Sequence, residues 1–272
     1  MKAPLVSGIL TFANPQRLNL ARKAVNNFIR QHYTPYELIV VNGTDLDVLT
    51  NEEMNADYFQ EAGCSVREIK VEAGKNAAVM KNLGIEVAKG EWIIPIDDDD
   101  WFHPQRLIFQ MAHRQVGRAC LLKYQLRVDV SLSLLASESN EEETLTKPLL
   151  QLLKTEMGVA STIMFPRLKP DGTIWIYDGH LTTGEHAELI ARMSGKGLTP
   201  VVVDNSHTPF VQGMQWPLLS IAIYHAGNEL THEQFFHNLP LPVDRSAIPL
   251  GLTNGDITQL GAVLQSYNFK IQ

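Results

Sequence analysis

Short apolar runs alternate with amphipathic segments through the first 118 residues of the chain. The apolar runs are rich in β-branched residues and predict strands, whereas the segments between them repeat apolar residues at helical spacing. Because the strands are almost continuously apolar, the pattern predicts a mostly parallel sheet with helices on both faces. The predicted strands are residues 5–12, 36–43, 66–72 and 91–97, and the predicted helices are residues 18–32, 74–90 and 103–115.

Turn residues mark the ends of several of these elements. Asn14 and Pro15 are typical of the N-cap and the first position of a helix, and Pro104 predicts a similar start for the third helix. Gly90 follows the second helix, at the position where glycine commonly ends one.

The pattern becomes weaker after residue 118. Residues 119–135 predict one or two further strands, and residues 136–144 are acidic and polar and predict a loop. Residues 206–272 contain five prolines among short apolar runs. We interpret this last part as an irregular C-terminal extension that packs on the same domain.

Charge and composition narrow the classes of function. The chain has 272 residues and a net charge of −7, which speaks against binding to nucleic acid phosphates. Its two cysteines, Cys64 and Cys120, have no metal-binding or disulfide spacing and favour a reducing cytoplasm. No stretch reaches the roughly 18 apolar residues of a membrane span, so we expect a cytoplasmic protein with at most peripheral membrane contact.

Four adjacent acids, residues 97–100, directly follow the fourth predicted strand. Ligands of parallel sheets bind at the carboxyl ends of the strands, so these acids are expected to face a crevice. Alternation along a strand predicts that Asp97 and Asp99 face together, with Asp98 and Asp100 facing elsewhere. Such carboxylates suit Mg²⁺ or Mn²⁺ holding a substrate diphosphate. The structural alternative is a solvated acidic turn.

Other phosphate, metal and nucleophile motifs are missing from the sequence. There is no GxxxxGK[ST], no GxGxxG after the first strand and no GxSxG. His232 and His237 are five residues apart, whereas a zinc-binding HExxH pair needs four. These absences leave the acids at residues 97–100 as the main candidate site.

Residues 3–110 resemble the family-2 glycosyltransferases of the GT-A fold. The resemblance rests on "PLVSGILTFANPQRL", on "YELIVVNGTD" and on "AGKNAAVMKNLGIEVAKGEWIIPIDDDDWFHPQRL", in that order. It implies an α/β, Rossmann-like GT-A domain with the D-x-D motif of the family. It also implies an inverting, metal-dependent hexosyltransferase. The expected donor is a nucleoside diphosphate sugar, UDP-linked, and the acceptor is a glycan, a lipid-linked or another hydroxyl.

The resemblance also implies roles for individual residues in the donor half, residues 1–118. The implied metal ligands are Asp97 and Asp99, with Mn²⁺ or Mg²⁺ as the cation. Asn42 stands where the family usually has an aspartate that reads the base, so the base is less certain from the sequence. The implied donor-binding residues are Thr11, Phe12, Asn42, Lys81, Asn82, Asp97 and Asp98.

The acceptor-side half, residues 119–205, contains a segment at residues 176–197 that resembles the family's catalytic-base segment. The family's Glu-Asp pair reads Glu185-His186 here, at the start of a predicted helix. The resemblance assigns the base to His186, a competent general base near neutral pH, with Glu185 as the rival. The structural alternative is that Glu185 only favours the helix dipole. His207 and His225 are candidates for a further metal or diphosphate contact.

Two other classes of protein compete with a glycosyltransferase. A sugar nucleotidyltransferase would need a glycine-rich basic loop after the first strand, and "TFANPQ" has neither glycine nor a basic residue. A non-catalytic nucleotide-sugar-binding module would keep the donor residues and lose the base. This second class predicts donor binding without turnover.

Overall fold

The computed structural model describes residues 2–50, 64–129, 149–205 and 220–224. In this part of the chain the helices are α1 Leu18–Ile29, α2 Ala77–Val87, α3 Arg106–His113 and α4 Glu185–Gly195. Short 3-10 turns cover Pro15–Arg17 and Ala160–Thr162. The strands are β1 Val6–Phe12, β2 Tyr36–Asn42, β3 Ser65–Lys70, β4 Trp92–Ile96, β5 Trp101–Phe102, β6 Cys120–Leu122, β7 Tyr124–Asp129, β8 Leu149–Lys154, β9 Phe165–Pro166, β10 Val201–Val203 and β11 Ser220–Tyr224.

The central sheet has the strand order β3-β2-β1-β4-β9. Strands β1 to β4 are parallel, as the apolar runs predict, and β9 joins the edge in the antiparallel direction. A second sheet has the order β5-β11-β7-β8, and β6 pairs with β10 in a third. Strand β11 is the described part of the predicted C-terminal extension. The predicted loop at residues 136–144 lies outside the described residues.

Helices cover both faces of the central sheet, which confirms that prediction. Successive residues of a strand point to opposite faces, and the buried residues divide accordingly. Leu10 of β1 belongs to one apolar cluster with residues of α1 and α3. Ile9, its neighbour, belongs to another cluster with residues of α2 and α4. The sheet therefore holds two separate apolar layers, one on each face.

The predicted ends of two helices need correction. Helix α2 ends at Val87, and Ala88 is already extended, so Gly90 is not its C-terminal stop. Helix α3 begins after Gln105, which places Pro104 before the cap and not inside the first turn. The predicted cap at Asn14 is confirmed, because its side chain accepts a hydrogen bond from the amide of Gln16 at 3.0 Å.

Gly90 is required by close packing. A Cβ at this position would lie 2.4 Å from Ser7 Oγ and 2.7 Å from Ser7 N, closer than side-chain atoms can approach. The Gly90 amide donates to Ser7 Oγ at 2.8 Å, and that hydroxyl donates to the buried carboxylate of Glu37 at 2.6 Å. Gly90 is therefore needed for its contact with Ser7 of β1 just before β4 begins, and not for the end of the preceding helix.

The carboxyl ends of the parallel strands meet at one edge of the central sheet. Phe12 pairs with Asn42, and Leu10 pairs with Ile96. The chain leaves β1 toward β2 on one side, while β4 lies on its other side, so the strand order reverses at β1 and β4. This is the position where ligands of such sheets bind. In the described part of the chain, no helix has the length and apolar character to cross a membrane.

Candidate active site

The four acids at residues 97–100 form a turn and do not extend β4. This turn is called the acid turn below. The strand ends at Ile96, and the amide of Asp100 donates to the carbonyl of Asp97 at 3.4 Å across the turn. Strand alternation, from which we predicted that Asp97 and Asp99 face together, does not apply within a turn. The carboxylates are therefore distributed by the turn and by the cations that they contact.

Arg17 is the cation that Asp98 and Asp99 share. Its Nη2 contacts Asp98 Oδ1 and Asp99 Oδ2, and the three side chains are 13%, 8% and 9% exposed. Burial and the charge of Asp99 raise the pKa of Asp98 to about 8, against the lowering effect of Arg17. The guanidinium thus reduces the repulsion between two acidic groups in a poorly solvated place, and the raised pKa leaves Asp98 partly protonated at neutral pH.

A second guanidinium lies deeper, on the α3 side of the acid turn. Arg106 is 1% exposed, stacks over the ring of Phe102 at 4.1 Å and donates from Nε to Gln110 at 3.1 Å. Burial lowers the pKa of Arg106 to about 10, while the charges of Asp100 and Asp97 act in the opposite direction. The acid turn is therefore held between buried cations, which explains how four adjacent acids are tolerated.

Lys81 is the third cation and joins the two halves of the chain. It is 1% exposed, and its Nζ lies 2.8 Å from Glu185 Oε1, 3.3 Å from Asp97 Oδ1 and 3.3 Å from His186 Nε2. Burial alone would lower the pKa of Lys81, but the carboxylates of Asp97 and Glu185 outweigh it and raise the pKa. Lys81 therefore stays charged and holds the end of β4 against the start of α4.

His186 is buried within this cluster, with an exposure of 9%. Its Nδ1 lies 3.1 Å from the hydroxyl of Tyr177, and its Nε2 faces the ammonium group of Lys81. Burial, and then the charge of Lys81, lower the pKa of His186 to about 4. An ammonium can only donate, so Nε2 accepts, and Nδ1 of the neutral ring donates to Tyr177. The lone pair that a base would use is therefore occupied by Lys81.

Glu185 is the first residue of α4. The helix begins after Gly184, whose left-handed backbone, with φ of 74°, forms the N-cap. The Glu185 side chain is 13% exposed, and its Oε1 faces Lys81. Burial would raise the pKa of Glu185, but the charge of Lys81 and the hydrogen bond from its Nζ lower it below its ordinary value, against the raising effect of Asp97. Glu185 is thus an ionised carboxylate at neutral pH.

Asn42 uses its whole amide for contacts inside the protein. Its Nδ2 donates to Leu46 O at 2.6 Å and to Glu68 Oε1 at 2.5 Å. Its Oδ1 accepts from the amide and the hydroxyl of Thr44 at 2.7 and 2.8 Å. The carboxylate of Glu68 also accepts from the amides of the loop that follows β2, at Val48 and Leu49. An aspartate at position 42 would face Glu68 directly, which explains why this chain carries an amide there.

We expect Asn42→Asp to lower the free energy of unfolding by about 1–3 kcal/mol, because it removes two donated hydrogen bonds and opposes two carboxylates. Glu68→Gln in the same chain restores a donor opposite the new carboxylate, so the double variant should recover at least half of the loss. Urea unfolding followed by circular dichroism measures both. An unchanged midpoint for Asn42→Asp would contradict the contact between Asn42 and Glu68.

The remaining predicted donor residues lie at the same edge of the sheet. Thr11 is half-buried at the end of β1, and Phe12 is fully buried in the apolar cluster on the α1 face. Asn82 pairs with the backbone of Tyr177, donating to its carbonyl at 2.9 Å and accepting from its amide at 2.7 Å. Their contacts with a donor remain predictions. His207 and His225 lie outside the described residues.

Sequence reasoning missed four residues that organise the site, namely Arg17, Glu68, Arg106 and Tyr177. Arg17 had a weak signal, because it is the first basic residue after β1. Glu68 and Tyr177 had none, since each is an ordinary residue of a strand or loop until the fold brings it to its partner. Asn42 and Glu68 are 26 residues apart in the sequence, and Tyr177 and His186 are 9 residues apart. Arg17 contacts residues more than 80 positions away.

The acid turn offers two carboxyl groups that could bind a divalent cation. In the described ranges, no group of three or more histidine, cysteine, aspartate or glutamate residues is arranged to hold a metal ion. Two carboxylate oxygens, from Asp98 and Asp99, nevertheless converge on one nitrogen of Arg17. Mg²⁺ sites commonly use one or two carboxylates and complete their coordination with water and substrate phosphates. The residues present therefore fit a cation that binds together with a phosphate-containing substrate.

The fold of the chain is similar to that of solved GT-A glycosyltransferases. S. aureus TarS in complex with UDP-GlcNAc is 13% identical, and the similarity covers 82% of this chain and 59% of that chain with a TM-score of 0.50. The mannosyltransferase PcManGT from Pyrobaculum calidifontis, in complex with GDP-Man and Mn²⁺, is 12% identical. That similarity covers 84% of this chain and 59% of that chain with a TM-score of 0.51. The predicted GT-A fold is confirmed.

Residues 10–120 match the sequence model of the family described as Glycosyl transferase family 2. The putative colanic acid biosynthesis glycosyl transferase WcaA of Escherichia coli (strain K12) is 33% identical over 113 residues. That region is 41% of this chain and 38% of the relative, so the similarity spans well under half of either protein. The match confirms the resemblance of residues 10–120 to family 2.

Proposed function

We propose that this protein transfers a sugar from a nucleoside diphosphate sugar to an acceptor hydroxyl, with inversion at the anomeric carbon. The observation that carries the proposal is the cluster of Lys81, Asp97 and Glu185 at the carboxyl edge of the sheet. It joins the end of β4, in the segment that matches family 2, to the first residue of α4 in the acceptor-side half. Donor and acceptor groups can react only where these two halves meet.

Glu185 is the proposed base, in place of His186. The lone pair at Nε2 of His186 faces Lys81, and its lowered pKa makes it a weak proton acceptor. Glu185 is ionised, and Lys81 holds its Oε1, which fixes the orientation of the carboxylate. The acceptor hydroxyl would give its proton to this carboxylate as its oxygen attacks the anomeric carbon from the face opposite the diphosphate. His186 and Tyr177 then serve to position Lys81 and Glu185.

Asp97, Asp98 and Asp99 are the proposed donor side of the site. Asp98 and Asp99 would hold Mn²⁺ or Mg²⁺ together with the diphosphate, and Asp97 would contact the ribose or the cation. The cation would supply Lewis-acid stabilisation of the leaving diphosphate. The shared fold of S. aureus TarS with UDP-GlcNAc and of PcManGT with GDP-Man and Mn²⁺ supports this donor class. A UDP-linked donor, a glycan or lipid-linked acceptor and a cytoplasmic location complete the proposal.

A donor screen tests the proposed function. The protein is incubated with UDP-GlcNAc, GDP-Man and other nucleotide sugars, with Mn²⁺, Mg²⁺ or EDTA, and the released nucleoside diphosphate is measured. We expect slow hydrolysis of one donor that is lost with EDTA and in Asp99→Asn. Hydrolysis that persists with EDTA would contradict the role of the metal, and release from no donor would contradict transfer.

A non-catalytic nucleotide-sugar-binding module is the second candidate. The observation that favours it is the ion pair between Lys81 and Glu185, because it weakens the carboxylate as a proton acceptor. In this case a donor would raise the unfolding temperature without any release of nucleoside diphosphate. The donor screen therefore separates the two candidates when thermal unfolding is recorded on the same samples.

A further inference from the structure

Arg17 occupies the place between Asp98 and Asp99 that a cation would take. One nitrogen of its guanidinium, Nη2, contacts a carboxylate oxygen of each residue. We infer that Arg17 is a resident counter-ion of the acid turn that leaves Asp98 and Asp99 when a donor diphosphate arrives. Donor binding would thereby open these two carboxylates to a divalent cation. The inference rests on the proposed function for the identity of the donor.

The first step of the argument is electrostatic exclusion. The two carboxylates are only 8% and 9% exposed, so little water screens charges placed between them. A divalent cation on the same two oxygens would lie next to the guanidinium, and the two positive charges would repel each other. A cation that binds these oxygens in the empty protein therefore competes with the two contacts of Arg17, and this lowers the affinity for the cation.

The second step concerns where Arg17 can go. Arg17 ends the 3-10 turn that directly follows β1, and the Asn14 side chain caps this turn. The turn lies beside the point where the strand order reverses, which is the expected position of the diphosphate. A guanidinium forms paired hydrogen bonds with phosphate oxygens as readily as with carboxylates. The diphosphate therefore offers Arg17 a new partner.

The consequence is cooperative binding of the cation and the diphosphate. Each ligand tightens the binding of the other, and the coupling is the same in both directions. Part of this coupling would come from Arg17 and would disappear when its charge is removed. The remainder would come from direct contact between cation and phosphate and would persist.

Mn²⁺ titrations followed by electron paramagnetic resonance test this inference on the full chain, with UDP and GDP as diphosphate probes. Without nucleotide, Arg17→Gln is expected to bind Mn²⁺ about tenfold or more tightly than the wild type, since the guanidinium no longer competes for the two oxygens. Nucleotide should tighten Mn²⁺ binding less in Arg17→Gln than in the wild type. Arg17→Lys keeps a positive charge beside the turn without the planar fork, and should fall between the two.

Arg30→Gln is the matched control, because Arg30 is exposed at the end of α1 and the substitution changes the net charge equally. Circular dichroism establishes that each variant is folded, and Arg17→Lys gives a second test if Arg17→Gln is not. Equal Mn²⁺ affinity in Arg17→Gln and the wild type would overturn the inference. So would an equal gain in Arg30→Gln, or no Mn²⁺ binding by any variant.

The outcomes also separate this inference from the proposed function. Turnover of a donor by the wild type, with no gain of Mn²⁺ affinity in Arg17→Gln, would leave the transferase and remove the role of Arg17. A gain in Mn²⁺ affinity without turnover of any donor would support the role of Arg17 and contradict transfer.

Discussion

Glu185→Gln is expected to lower the rate of sugar transfer by about 10²–10⁴-fold, the usual contribution of a general base. The glutamine keeps the size of the side chain, and its Oε1 can still accept the hydrogen bond from Lys81 that Glu185 accepts at 2.8 Å. The fold and the donor affinity should therefore change little, while the proton acceptor is lost. The measurement is the initial rate of nucleoside diphosphate release, together with a titration of the donor.

Glu188→Gln is the matched control for this substitution. Glu188 lies one turn further along α4 and pairs with Arg192 at the surface at 2.8 Å. Its replacement should leave the rate within about twofold, since a half-buried pair at the surface has little effect on the rest of the protein. If His186→Asn abolishes transfer by the same factor while Glu185→Gln stays active, the base is His186 and our assignment is wrong.

Lys81→Met is expected to lower the free energy of unfolding by about 3–5 kcal/mol, because it leaves buried carboxylates without their cation. The loss should lie toward the lower end of this range, because the Asp97 side chain is 36% exposed and water can solvate part of its charge. Urea unfolding gives the difference. Lys75→Met is the control, because it removes an ion pair with the exposed Glu72. It should change the free energy of unfolding by about 0.5 kcal/mol or less.

The pH dependence of Lys81→Met separates a positioning role from simple packing. Lys81 lowers the pKa of Asp97 and Glu185 in the wild type, whereas burial raises both. Without Lys81 the pKa of Glu185 should rise, so the acidic limb of the pH–rate profile should move to higher pH. The loss of stability should be largest near neutral pH and should shrink in acid, where both carboxylates become protonated. A loss that does not depend on pH would indicate packing alone.

The sequence was sufficient for the elements that depend on short-range patterns. Continuous apolar runs predicted four parallel strands within a few residues of their ends, and the acids after Ile96 marked the edge of the sheet where the candidate site lies. Glu185 was selected because residues 176–197 resemble the catalytic-base segment of the family, which is also a pattern of neighbouring residues. Each of these features can be read from neighbouring residues alone.

Contacts between distant segments could not be predicted in the same way. Strand alternation paired Asp97 with Asp99, whereas the turn directs Asp98 and Asp99 to Arg17. The preference for His186 as the base ignored its burial against Lys81, which no local pattern reveals. Gly90 is a similar case, because the close approach of Ser7 in β1, and not the end of the preceding helix, requires a glycine there.

Lys81 and Asn82 have a consequence for how the chain folds during synthesis. Their partners Glu185 and Tyr177 are translated about a hundred residues later, since the separations are 104 and 95 positions. Until then the donor half contains a lysine that should be buried but has no carboxylate from the acceptor half, and an amide with no backbone to pair with. The segment at residues 10–120 that matches family 2 is therefore not expected to be an autonomous folding unit. A chain that terminates near residue 120 should be degraded or held by chaperones, even though it contains the most recognisable part of the sequence.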